Sequence, residues 1–574
     1  MHKKTPGLWK IKLGLGIVGN IELLKMKMKS GNAQKAQEKT LRKFLTKSKD
    51  TVYGKEHHFE EILKAKTADE LFKKYQENVP INQYTDFEPY IERHKNGEEN
   101  VLFSGKPIIY LTTSGTTSKP KWIPLTQEYY DEVYKKLNQL WFATALKFRP
   151  KACDGKNLSI VGKALEGYAP DGTPYGSVSG LSHKGIPKFM KPIYSAPYEL
   201  FHITDYKARY YAIMRMAIEQ NITWIVSVNP STLIEMQNNL NEFWDDYVND
   251  VENGTISDKF LIDDYIREAL LKGIQPNPER AEELRQLKLK HGTVLPKHYW
   301  PNLQIISVWM CGNTNVYLNK VKDSFPENTL FQEFAYFSSE CRSGNVLNPP
   351  DKDTTLFCHK LYFEFIKAED NELPNPRIYQ AHELEVGERY FFIFTNPSGL
   401  YRYNMNDIIE CTGKYNDFPK IQFIQKGNGI ISLTGEKLSE RQFIDAIHEA
   451  EKEIGVSLKF FVGFADLEAS LYHFYYEFPE TVENKIETGQ KITQIVDEKM
   501  KEFNKEYFDK RGTNRLKNPI THILQEESFE TFKARCIDLG YRDGQFKLNL
   551  LMQDEKRHAM FKELIATHGE FTTP

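Results

Sequence analysis

A chain of 574 residues is too long for one ordinary core, so two or more domains are expected. Its 40% hydrophobic and 13% aromatic content suffices for packed interiors and excludes a disordered composition. A net charge of −2 leaves no basic footprint for nucleic acid, and six scattered cysteines without a Cys-x-x-Cys pair exclude a disulfide framework or a zinc site and point to a reduced, cytoplasmic setting.

No apolar run is long enough to span a bilayer, so no integral membrane segment is expected. Residues 1–30 carry seven lysines and one acid, Glu22, around the apolar stretch Leu13 to Leu24. Asn20 and Glu22 interrupt that stretch, which argues against a secretory signal. It reads as a solvated helix, or as a basic helix lying on the protein or on a membrane surface. Gly14, Gly16 and Gly19 imitate a dinucleotide fingerprint, but no second strand with its acidic residue follows. Helical spacing resumes from about Ala33 to Lys47, and an extended, proline-marked segment follows from Val79 to Tyr90.

The apolar run Ile108-Ile109-Tyr110-Leu111 reads as a strand opening into Thr113-Ser-Gly-Thr-Thr-Ser-Lys-Pro-Lys121. Ser114, Thr116 and Thr117 offer hydroxyl donors, Gly115 allows close backbone approach, and Lys119 and Lys121 supply charge. That set suits a polyphosphate, although a solvated turn between two elements has the same composition. A helix is predicted from Thr126 to Phe148, with Val133, Leu137, Leu140 and Trp141 in helical spacing. Strands at 223–228, 304–310 and 331–337 alternate with helices, the pattern of α/β layers. Residues 250–302 read as helices with surface loops. From Glu388 the chain becomes strand-rich at 389–395, 400–403, 407–411 and 420–425. A boundary is expected between Lys426 and Leu438, where glycines cluster with charges. Beyond it lies a compact α+β pattern: strands at 457–464, 471–478 and 519–525, helices at 482–510 and 528–539.

Two later segments bear on the hydroxyl loop. In Tyr336-Phe-Ser-Ser-Glu340 an aromatic lies four residues before a carboxylate, an arrangement that can stack a base and hold a hard cation. In Leu400-Tyr-Arg-Tyr-Asn-Met-Asn-Asp407 the aspartate can accept hydrogen bonds from both hydroxyls of a ribose. Each also reads as an ordinary strand end or hairpin. In order and spacing, the three segments resemble the signature motifs of adenylate-forming enzymes, the superfamily of acyl-CoA synthetases and luciferases.

The wider text is similar to the acyl acid-amido synthetase family first known from auxin-responsive (Gretchen Hagen) plant proteins, which also has bacterial members; a bacterial member is expected here. The likeness rests on Asp50-Thr-Val-Tyr-Gly-Lys55, Val79-Pro80 with Tyr84, Pro278-x-Arg280-Ala281, Trp300-Pro-Asn-Leu303, Gly399-Leu-Tyr-Arg-Tyr403 and Glu436-Lys437, and covers roughly residues 35–550. It implies a large N-terminal domain (1–430) of layered sheets and helices with a β-rich subdomain, binding ATP and the acyl acid. A small mobile C-terminal α+β domain (431–574) is implied to follow. Ser114, Thr116 and Thr117 match the phosphate loop, Tyr336 the adenine-stacking aromatic, and Ser339 the α-phosphate hydroxyl. Glu340 matches the magnesium-side acid, Asp407 the ribose aspartate, and Lys547 the lysine bridging carboxylate and α-phosphate.

Three positions depart from the family pattern: Ser118 replaces a glycine, Lys426 replaces an arginine, and Leu-Asn-Leu follows Lys547. The implied activity is ATP- and Mg2+-dependent activation of a carboxylic acid as acyl-adenylate, followed by transfer to the amine of an amino acid, in a monomeric protein. The alternatives are transfer to coenzyme A, or a degenerate nucleotide-binding regulator. The acid's pocket is expected to draw on 223–236 and 308–317.

Overall fold

The computed structural model describes the chain apart from residues 1–7, 114–120, 187, 229, 313–317, 320, 372, 428–429, 432, 434–435, 437, 467, 513–515, 539–547, 567–570 and 573–574. It divides into two compact units, 1–424 and 425–574.

In the larger unit, capped helices come first. Asn32 accepts the Lys35 N–H at 2.7 Å to open Ala33–Ser48, and Thr67 caps Ala68–Asn78 in the same way. The proline-marked segment expected to be extended instead becomes the helix Tyr84–Lys95. Reciprocal capping between Gln83 and Asp86 secures its first turn, and Pro89 forgoes one hydrogen bond inside it. The glycine trio of the N-terminus lies within the helix Leu8–Lys29, not after a strand. This helix runs along Lys135–Phe148. Any side chain at Gly19 would meet the Ala143 methyl at 2.1 Å, so glycine here is a close-packing requirement.

Strands Lys156–Ile160, Ile222–Ser227, Ile305–Ser307 and Leu330–Gln332 pair in parallel, in that order. Ile222, Trp224, Ile225, Ile305 and Ile306 are fully buried, as expected of a parallel sheet covered on both faces. The strand predicted at 331–337 ends at Gln332, which frees the following residues for other bonds. A second, four-stranded sheet pairs Ile109–Thr113 with Lys121–Leu125 in antiparallel register, Thr113 opposite Lys121. A seven-stranded sheet is centred on Arg389–Thr395 and Tyr403–Tyr415. The two strands predicted at 400–403 and 407–411 are here one strand, accommodated by positive φ at Arg402 and Asn406 and a register shift opposite Phe391/Ile393.

The helix expected from Thr126 to Phe148 is interrupted. Gln127–Tyr129 is α-helical, Tyr130–Tyr134 forms a π-turn, and α-geometry resumes at Lys135–Phe148.

The smaller unit carries a five-stranded sheet in the order Leu551–Met552, Phe460–Asp466, Leu471–Glu477, Ile520–Ile523, Phe571–Thr572. Its helix Glu440–Ile454 opens on a Ser439/Gln442 capping box and ends at Gly455 with φ 75°. The helical stretch predicted at 482–510 resolves into Lys485–Phe503 and Lys505–Gly512. All six cysteines are free; Cys311 is half-buried and the others buried.

Candidate active site

The second and third motifs converge. After Gln332 the chain leaves the parallel sheet and turns at Ala335, where φ is +77°. Tyr336 then donates its N–H to Thr354 Oγ1 (2.7 Å) and accepts at its carbonyl from Ser343 Oγ (2.7 Å). Its phenol donates to Asp407 Oδ2 at 2.6 Å. Burial pushes the Tyr336 phenol well above its ordinary pKa, and the Asp407 charge adds to that, so it stays a donor at any working pH.

Ser339 and Glu340 are each only 8% exposed. Ser338 Oγ accepts the Glu340 and Cys341 N–H groups (3.2 and 3.1 Å), Tyr134 Oη donates to the Ser339 carbonyl (2.9 Å), and Asn396 Nδ2 donates to the Glu340 carbonyl (3.0 Å). The backbone of the motif is therefore fixed. Among the described residues the nearly buried Glu340 carboxylate has no hydrogen-bond or ion-pair partner.

In the third motif the residues alternate in duty. Gly399 holds φ +84° against Leu102, where a side chain would clash at 2.5 Å. Tyr401 stacks on Tyr53 (4.9 Å between ring centres) and donates to the Leu102 carbonyl (2.7 Å). Arg402, buried, pairs with Glu364 at 2.9 Å and donates to the Gln76 and Val79 carbonyls. These two residues anchor the segment, while Asp407 meets Tyr336 and Tyr403 lies near Glu340. Lys121 Nζ donates to Tyr403 Oη at 3.4 Å and lies 5.7 Å above the Tyr84 ring. Burial raises the Tyr403 phenol, with Glu340, Tyr84 and Asp407 adding to it, so these groups share one neighbourhood.

Ser114, Thr116, Thr117 and Lys547 lie outside the described residues. Of the stretches expected to shape the acid's pocket, Thr223, Trp224 and Ile225 are buried in the sheet, Trp224 donating to Ser307 Oγ at 2.9 Å, and 313–317 lie outside the described residues. Sequence reasoning missed Tyr134, Asn396 and Glu333. Glu333 accepts the Met310 and Phe334 N–H groups (2.5 and 2.8 Å), and burial pushes its carboxyl up to about 7 against those donors. A lone acid in the apolar run Leu330 to Phe337 was the available signal.

Three family models match in chain order: the GH3 family N-terminal domain at residues 22–330, the central domain at 354–426 and the C-terminal domain at 441–556. The chain belongs to the GH3 family. This GH3 protein is 25% identical over 551 residues to indole-3-acetic acid-amido synthetase GH3.5 of Arabidopsis thaliana, covering 90% of this chain and 88% of that one. It is 26% identical over 541 residues to jasmonoyl–L-amino acid synthetase JAR6 of Nicotiana attenuata, covering 90% of each. The solved structure of GH3.15 acyl acid amido synthetase matches with a TM-score of 0.82 at 20% identity over 96% of both chains, so the fold is shared. This GH3 protein is accordingly an enzyme, a ligase of the acyl acid-amido synthetase class.

Proposed function

We propose that this chain uses ATP to activate a carboxylic acid as acyl-adenylate, releasing pyrophosphate, and then passes the acyl group to the amine of an amino acid. The observation that carries the reading is the Tyr336–Asp407 hydrogen bond, because it joins the two separate segments assigned to one nucleotide. Asp407 receives the ribose hydroxyls, Tyr336 the adenine face and Ser339 the α-phosphate. Ser114, Thr116 and Thr117 hold the outer phosphates. Glu340 suits Mg2+: magnesium binds through one or two carboxylates plus substrate phosphates, and this carboxylate is nearly buried without a partner among the described residues. When bound, the ion would supply charge neutralisation at the phosphates.

The chemistry sets what the chain must do. Bringing a carboxylate to an α-phosphate places two anions together, so the positive charge of Lys547 belongs to that step. The acyl-adenylate is water-sensitive, which favours a mobile small domain, 431–574. Six free thiols support a reducing, cytoplasmic setting. The test is ATP–pyrophosphate exchange across a panel of carboxylic acids, followed by amino-acid and coenzyme A acceptors. Names of the relatives put indole-3-acetic and jasmonic acids first in that panel. Exchange with no acid despite ATP binding, or thioester in place of amide, would overturn the reading.

A further inference from the structure

The helix Leu8–Lys29 has two faces of different character. Its inner face carries Gly19 against Ala143, the fully buried Met26, and Glu22 at 3% exposure. Glu22 pairs with Lys25 (2.9 Å) and Lys360 (3.4 Å), and these cations hold its carboxyl below the usual range despite the opposing effect of burial. Its outer face carries Ile17, Ile21, Leu24 and Met28, which are 52%, 47%, 57% and 66% exposed. At 3.6 residues per turn those four fall within an arc of about 60°, one continuous apolar stripe. By the same arithmetic Lys25 and Lys27 project about 80° to either side of Ile17, and the exposed Lys29 about 120° from it, at the end of the helix.

A helix resting on a globular body normally turns polar residues outward. Here the outward face is apolar and its borders are cationic. The one acid among the first 30 residues, Glu22, is turned inward and pairs with Lys25 and Lys360, so among the described residues Lys27 and Lys29 have no carboxylate partner on the outer surface of the helix. We propose that this face docks on an anionic lipid surface. The helix lies in the plane of the interface, the stripe enters the boundary between headgroups and acyl chains, and Lys27 and Lys29 reach the phosphates along their aliphatic stems. No described helix is long and apolar enough to cross a membrane, so attachment is peripheral. Charge decides between lipid and a second copy: two such helices face to face would bring like-charged lysine rows together.

The test is co-sedimentation of the full chain with phosphatidylcholine vesicles, with and without phosphatidylserine. Binding is expected only with phosphatidylserine and should fall as salt rises. Ile21→Glu/Leu24→Glu and, separately, Lys27→Glu/Lys29→Glu should each weaken it at least about tenfold. Thermal melting and vesicle-free pyrophosphate exchange should stay unchanged, since none of these side chains belongs to the nucleotide site. Absence of binding to either vesicle, or binding indifferent to both double variants, would overturn the proposal. So would a concentration-dependent dimer abolished by the apolar pair, which would assign the stripe to a second copy.

Discussion

Asp407 and Tyr336 are 71 positions apart in the chain and 2.6 Å apart in the fold. Under the proposed reading, a ribose hydroxyl meets an Asp407 carboxylate that the buried Tyr336 phenol already orients. Asp407→Ala should weaken ATP binding by about 1.5–3 kcal/mol, the range for hydrogen bonds to a charged group, with little effect on folding. Tyr336→Phe, which keeps the ring and removes only the orienting donor, should lose less. Calorimetry on both variants checks the order; unchanged affinity in Asp407→Ala would remove the ribose role. Arg402 of the same motif is structural: its guanidinium faces Glu364 and two carbonyls in the interior.

The element that most affects the site is the π-turn Tyr130–Tyr134. It places Tyr134 Oη within reach of the Ser338 and Ser339 carbonyls (3.3 and 2.9 Å), and Tyr129 Oη accepts the Arg342 N–H at 3.2 Å. Tyr134→Phe leaves those carbonyls without their donor, which should cost about 1–3 kcal/mol of stability. It should also lower kcat for pyrophosphate exchange while ATP affinity stays near wild type; a variant with normal kcat would show that the motif holds itself.

Sequence periodicity found the helices on both sides of this turn but not the turn, because Val133, Leu137, Leu140 and Trp141 fit one helical stripe to good approximation. Alternating strands and helices were legible, and two of the named motif residues, Tyr336 and Asp407, meet in the fold. What stayed hidden depends on partners far along the chain. Thr354 and Ser343 draw Tyr336 out of the strand expected to contain it. At Pro89, the signal for extended chain lost to a capping box formed by Gln83, an unusual first member for that motif.

At the scale of the whole molecule, the sequence places a boundary between Lys426 and Leu438, and the compact units divide at Ile424/Gln425. Within the smaller unit a cluster of histidines sets a pH limit. His473 and His522 share a ring-to-ring hydrogen bond (2.9 Å), and Tyr475 Oη and His558 Nε2 share another (2.7 Å). Burial, then the charge of His473 and Lys562, pushes the His522 and His558 rings down to about 3. An unfolded histidine titrates near 6.5, so between about 6.5 and 3 the unfolded state binds more protons and stability falls as pH falls. The slope reaches up to about 1.4 kcal/mol per pH unit for each ring. Urea midpoints of the smaller unit should therefore drop between pH 7 and pH 5; a flat profile would mean these rings admit protons while folded.

Under the proposed reading, Lys547 serves only the first half-reaction. Lys547→Ala should slow pyrophosphate exchange about 10²–10³-fold, while amide formation from supplied acyl-adenylate persists. Rapid-quench assays of each step decide it, and equal loss of both would point to damage of the whole unit.

The buried thiols make the chain its own stopwatch. A buried sulfur reacts with an alkylating reagent when the structure around it opens, and burial that raises thiol pKa, as at Cys341 and Cys358, slows any attack before then. Cys536 is the one cysteine of the sequence after Gln425, and the other five precede it. Leaving aside the half-buried Cys311, the order in which labels arrive, read by peptide mass after quenching, therefore times the opening of each unit separately in a single untagged, unmutated molecule.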